Sequence, residues 1–83
     1  MRKILIFLRI PSVGSEYEVY VPDHVCVREL IPLLSDAVFE LTRHLYVPSG
    51  SETLCCAEQN ILLDENKTLS DYALGNGDHL VMI

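Results

Sequence analysis

Basic residues are scarce in this sequence: six lysines and arginines stand against twelve acids, a net charge of −6 with histidine neutral. They are also unevenly spread, five bases and six acids in residues 1–43 against one base and six acids in residues 44–83. Nucleic-acid binding depends on a basic surface that displaces counterions from phosphate, and anionic lipid demands the same sign, so neither is an expected partner. Long apolar runs are missing as well. The longest, such as residues 4–8, fall far short of the roughly 20 residues of a membrane-spanning helix, which excludes direct insertion into a bilayer. That opening, Met1-Arg2-Lys3 followed by apolar residues, has the outline of a signal peptide, but Arg9 interrupts it and no small-residue cleavage site follows. It reads as a strand. Only three cysteines are present, too odd a number to pair fully within the chain, and they read as free thiols in a reducing, cytoplasmic setting.

What is present is ordinary globular material, 49% hydrophobic and 22% charged, and 83 residues leave room for one domain, spanning residues 1–83. Residues 3–10 are rich in Ile, Leu and Phe, and residues 16–21 alternate Glu, Tyr, Glu, Val, Tyr, Val, with Pro11-Ser12-Val13-Gly14-Ser15 between them. This is a β-hairpin with a longer loop. Alternation sends Tyr17, Val19 and Val21 to the core and Glu16, Glu18 and Tyr20 to the other face. After Pro22-Asp23, the residues Val27, Leu30, Ile31, Leu34, Val38, Leu41 and Leu45 recur at three- and four-residue steps, an amphipathic helix. Pro32 lies inside it on the polar side, where either a curve around the core or a break into two helices would accommodate it. Residues 46–51 are a loop, 53–57 and 60–63 short strands, 64–67 a turn, 68–72 one helical turn, 75–78 a tight turn and 79–83 a last strand. The order β-β-α-β-β-turn-β suits a two-layer α+β domain, with one main helix across one face of a mixed sheet of four to five strands.

Leu54, Leu62-Leu63, Thr68-Leu69-Ser70-Asp71-Tyr72, Leu74, Gly77-Asp78 and the closing Leu80-Val81-Met82-Ile83 resemble the second half of the ubiquitin-like β-grasp fold. Within that superfamily Val21-Pro22, Val27-Arg28-Glu29-Leu30-Ile31, Asp64-Glu65-Asn66 and Gly77-Asp78 resemble the YukD/EsaB family, small proteins associated with bacterial type VII secretion. The resemblance runs over nearly the whole chain. It implies a non-enzymatic protein-interaction module, a cytosolic accessory or regulatory component of WXG100-type secretion whose partner is a protein of that machinery. In some type VII systems a similar domain forms the cytosolic N-terminus of a membrane component, so a fragment of a longer chain is the alternative origin. Likeness to ubiquitin also places the Tyr72 hydroxyl on backbone near Asp64. Leu69 and Tyr72, three apart on one turn, are expected to cover the open end of the core.

Other chemistry of this fold finds little footing in these residues. Sulfur carriers and protein modifiers, the rival class, act through a flexible Gly-Gly tail, whereas this sequence closes on Met82-Ile83, so neither activity is expected. Ferredoxins need four cluster-ligating cysteines. Cys55 and Cys56, adjacent on a strand, point to opposite faces and cannot readily share a metal, and His24, His44 and His79 have no zinc-ligand spacing. No catalytic residue, metal site or cofactor is expected.

One feature does bear on function. If Ile6, Leu8 and Ile10 face the helix, Leu5 and Phe7 face outward beside Lys3 and Arg9; Val81 and Ile83 on the last strand and Cys55 on its neighbour join them. Leu5, Phe7, Cys55, Val81 and Ile83 then make an exposed apolar patch, the expected partner-binding site. A homodimer covering the patch is a second reading, and a register one residue off, which turns the first strand over, is a third. Phe39, on the polar side of the helix, is either a further exposed contact or tucked under the 47–51 loop.

Overall fold

The computed structural model describes residues 3–83; Met1 and Arg2, the first two residues of the expected domain, lie outside the described residues. Strand β1 (Lys3–Ile10) buries Ile4, Ile6, Leu8 and Ile10 completely and leaves the intervening side chains half-buried or exposed. The period-two pattern therefore takes the register in which the isoleucines and Leu8 turn inward. A single 3-10 turn over Pro11–Val13 ends at Gly14, whose φ of 66° suits a residue without Cβ, and leads into β2 (Ser15–Pro22). β2 pairs antiparallel with β1, Leu8 opposite Tyr17 and Phe7 opposite Glu18.

Helix α1 (Val27–Leu41) buries Val27, Leu30, Ile31, Leu34, Ser35 and Val38 against the same core. No side chain caps its start. Instead the backbone N–H groups of Val27 and Arg28 donate to the carbonyls of Lys67 and Glu65 (2.8 and 3.0 Å), satisfying donors that a helix leaves unpaired in its first turn. The Arg28 guanidinium adds a bond to Asn66 Oδ1. The helix continues through Pro32, which is exposed, so the position whose N–H is missing lies on the solvent side. The sequence does not split there.

The helix ends earlier than its apolar spacing suggests, and Leu41 and Leu45 are 52% and 74% exposed. Arg43 and His44 adopt φ of 54° and 70°; Arg43 N–H donates to the Glu40 carbonyl at 3.0 Å and His44 N–H to that of Phe39 at 2.8 Å. This is a Schellman closure built without glycine, and the apolar contact that accompanies such closures is the His44 ring stacked on Phe39, centroids 4.2 Å apart. Phe39 is thus held by the helix's own end rather than under the following loop. Because Arg43 occupies a left-handed conformation that a Cβ disfavours, Arg43→Gly is expected to raise stability by about 0.5–1 kcal/mol. A urea midpoint at or below that of the native chain would count against this.

The rest of the sheet consists of β3 (Leu54–Cys56) and β4 (Ile61–Leu62), each two residues shorter than the sequence pattern suggests, and β5 (Asp78–Met82), of the expected length but starting one residue earlier. The strand order is β2-β1-β5-β3-β4. β5 runs parallel to β1 and antiparallel to β3, so the sheet is mixed, with β5 between two strands far apart in sequence. A second 3-10 turn, Ser70–Tyr72, closes the end of the core: Leu69 is fully buried, while Tyr72 is only half-buried and its hydroxyl accepts the Asp64 N–H at 2.7 Å. The architecture is an α+β β-grasp of ubiquitin type.

Candidate docking surface

Register fixes which side chains share the outward face of the sheet. Phe7 lies beside His79 and Arg9 beside Val81 across the β1–β5 pair; Cys55 lies beside Val81 and also beside Leu62. Arg9, Val81, Cys55 and Leu62 therefore form one lateral row, with Glu16 at its β2 end. All five expected residues face this side: Leu5, Phe7, Cys55 and Val81 are half-buried and Ile83 is 69% exposed. They do not form one uniform patch. Cys55, Val81 and Ile83 line a shallow depression of about 320 Å³, with Ala57, Asn60, Ile61 and Leu62 on its other side. Leu5 and Phe7 lie across the sheet from it, and Arg9 and His79 bring charge and polarity between the two groups.

The Phe7 side is held by an exposed polar clamp. Its ring stacks on His79 with centroids 4.9 Å apart. Glu58 accepts bonds from the His79 backbone N–H at 3.0–3.1 Å and meets the ring Nδ1 at 2.6 Å. Those His79 bonds hold the Glu58 carboxyl below the usual carboxylate range. Leu5 is fixed through its backbone, whose N–H donates to Asn76 Oδ1 at 2.7 Å and whose carbonyl accepts from Gly77 at 2.8 Å.

The Ile83 side rests on a buried anchor. Thr53 and Ile83 exchange two backbone bonds of 2.8 and 3.0 Å, extending the β3–β5 ladder, and the preceding residue is Glu52, only 6% exposed. Its carboxylate accepts the Tyr46 hydroxyl at 2.7 Å and the N–H groups of Ser49 and Gly50 at 2.6 and 3.1 Å. Burial alone would push the Glu52 carboxyl up, but these bonds outweigh it and the group titrates below its ordinary value. Burial, reinforced by the bond to Glu52, pushes the Tyr46 hydroxyl up to about 12. The 46–52 loop is in this way tied to the edge of the depression.

Cys55 faces the depression and Cys56 the core, as adjacent strand residues must. Among the described residues no three His, Cys, Asp or Glu side chains are grouped to hold a metal ion, and no helix is long and apolar enough to cross a membrane. The residue that sequence reasoning missed is Leu62, 61% exposed and lining the depression. Its signal was present: in the pair Leu62-Leu63 alternation can bury only one, and Leu63 is the buried one.

A family model described as WXG100 protein secretion system (Wss), protein YukD, matches residues 8–82. No curated protein sequence matches the chain. Among solved structures, the ubiquitin-like domain of EccD5 from Mycobacterium xenopi is 17% identical with a TM-score of 0.84, over 100% of this chain and 94% of that one. The ubiquitin-like domain of the Mycobacterium tuberculosis type VII secretion system protein EccD1 is 12% identical with a TM-score of 0.80, over 100% and 99%. A chain of the MycP5-free ESX-5 inner membrane complex is 17% identical with a TM-score of 0.82; all of this chain aligns to 21% of that one. At these identities the likeness to solved structures shows the ubiquitin-like fold.

Proposed function

The chain belongs to the YukD family of the WXG100 protein secretion system, and from that premise we propose that it is a single, non-enzymatic ubiquitin-like domain that works in the cytosol as an accessory or regulatory component of type VII secretion. It docks the outward face of its sheet on a protein of the secretion machinery. The observation that carries this reading is the depression lined by Cys55, Val81, Ile83 and Leu62, where two large apolar side chains stand more than half exposed on paired strands. Water leaves such a surface at a gain of roughly 25 cal/mol per Å² buried. The likeness to one segment of an ESX-5 inner membrane complex chain supports a partner of that kind.

The test uses the native chain and a Leu62→Asp/Ile83→Asp variant as baits in lysate of the source organism, with captured proteins identified by mass spectrometry. Both substituted side chains are exposed, so circular dichroism and the urea midpoint should stay close to those of the native chain. Capture of a type VII secretion protein by the native chain alone is the expected result. A Phe7→Asp variant tests whether the contact extends across to β1. Capture of an adenylating enzyme, or of the same proteins by every variant, would overturn the assignment.

A further inference from the structure

The two edges of the sheet differ sharply. The β4 edge is two residues long, too short to template another strand, whereas β2 runs for eight residues with only its outer side unpaired. Every second residue of such a strand turns its N–H and C=O away from the sheet. Edge strands are normally protected by lysine, by proline within the strand or by a bulge; β2 carries Pro22 only at its last position and no lysine. Directly below this edge, between β2 and α1, lies an apolar groove of about 290 Å³. Val19, Leu30 and Leu34 line it, and its rim on the helix side is Leu33, 60% exposed. On the opposite face of the same strand stand Glu16 and Glu18, both exposed, and neither forms an ion pair among the described residues.

We propose that the β2 edge and the groove beneath it form a second docking site, distinct from the outward sheet face, for an extended peptide segment whose residues alternate apolar and basic. Three features select that chemistry together. The free backbone row calls for an extended partner that adds as a sixth strand. The period-two geometry then places alternate side chains of the segment over the groove, where an aliphatic residue meets Val19 and Leu33, and the others on the far face beside Glu16 and Glu18, where lysine or arginine is matched. A second copy of this chain fits poorly. Antiparallel β2–β2 pairing centred on Glu18 sets two Glu18 carboxylates directly opposite, and like charges across strands are destabilising.

The probe is a fluorescein-labelled heptapeptide of alternating valine and lysine, titrated with the native chain at low salt and followed by anisotropy. Saturable binding is expected, with amide shift changes confined to residues 15–22 and the α1 face carrying Leu33 and Ala37. Leu33→Glu should raise Kd about tenfold and Glu18→Lys about threefold to tenfold. A valine–glutamate heptapeptide should bind the Glu18→Lys variant better than the native chain. Leu62→Asp/Ile83→Asp should bind the probe normally, which separates this site from the one proposed above. The proposal fails if the peptide does not saturate, if Leu33→Glu binds it unchanged, or if a central valine replaced by proline leaves binding intact. A concentration-dependent dimer abolished by Leu33→Glu would assign the edge to a second copy instead and overturn it.

Discussion

Leu69→Ala lowers the free energy of unfolding by about 2–5 kcal/mol, the cost of deleting a fully buried leucine and leaving a cavity. A chain of this length has roughly 4–12 kcal/mol to lose, so this one substitution removes at least about a sixth of the total. The cavity has little chance to collapse, because the backbone around Leu69 is pinned. Its carbonyl accepts from both Tyr72 and Leu74 at 3.1 and 3.2 Å, and Ser70 N–H donates to the Asp23 carbonyl at 3.0 Å. Cys26 and Thr68 form an isolated bridge alongside, tying the same segment to the start of α1. Urea unfolding should show the midpoint falling by about 0.7 M or more with the slope unchanged. A shift below about 0.5 M would mean that the end of the core is closed by something other than this side chain.

Removing the anchor at Glu52 should be nearly as costly. Glu52→Ala takes the acceptor from three donors at once, the Tyr46 hydroxyl and two loop N–H groups, at about 2–4 kcal/mol. The pH dependence follows from the directions of the two shifts. The folded Glu52 carboxyl titrates below its unfolded value, so its contribution is complete above the ordinary glutamate range and is lost as pH falls through and below it. The folded Tyr46 hydroxyl, pushed up to about 12, behaves oppositely: its contribution is complete below the unfolded tyrosine value near 10 and is lost as pH rises from there toward 12. Denaturant midpoints taken from pH 3 to pH 12 should show both limbs in the native chain. In Tyr46→Phe the part of the alkaline limb due to this hydroxyl should be gone; identical alkaline limbs would show that Tyr46 is not buried against Glu52.

Much of this architecture was legible because strand and helix periods differ. Residues 4–8 are apolar without a break, but Lys3 and Arg9 fall at odd positions, so the register that leaves both in water buries Ile4, Ile6, Leu8 and Ile10 and turns Leu5 and Phe7 outward. The end of α1 was not legible. Leu41 and Leu45 continue the three-and-four spacing, and the closure at Arg43 and His44 uses no glycine or proline to signal it; the backbone bonds to Glu40 and Phe39, the Thr42 hydroxyl accepting the Tyr46 N–H, and the ring contact between Phe39 and His44 turn the chain there. Tyr46 and Glu52 sit in a stretch that reads as a polar loop, and their burial depends on a bond six residues apart that no periodicity encodes. Which side chains sit side by side on the outward face was not legible, since the sequence pattern does not reveal that Arg9 pairs laterally with Val81 and His79 with Phe7.

The position of β5 has a consequence for how the chain reaches its native state. β1 with β2 and β3 with β4 can each pair early as local units, but in the sheet order the two pairs touch only through β5. The parallel partners Ile6 and Asp78 or Leu8 and Leu80 must find one another across nearly the entire chain, the slow, loop-entropy-limited kind of contact. On the ribosome, therefore, the sheet cannot close until synthesis has passed Met82 and that strand clears the exit tunnel. The outward row that sets Val81 beside Arg9 and Cys55 cannot be assembled before that moment.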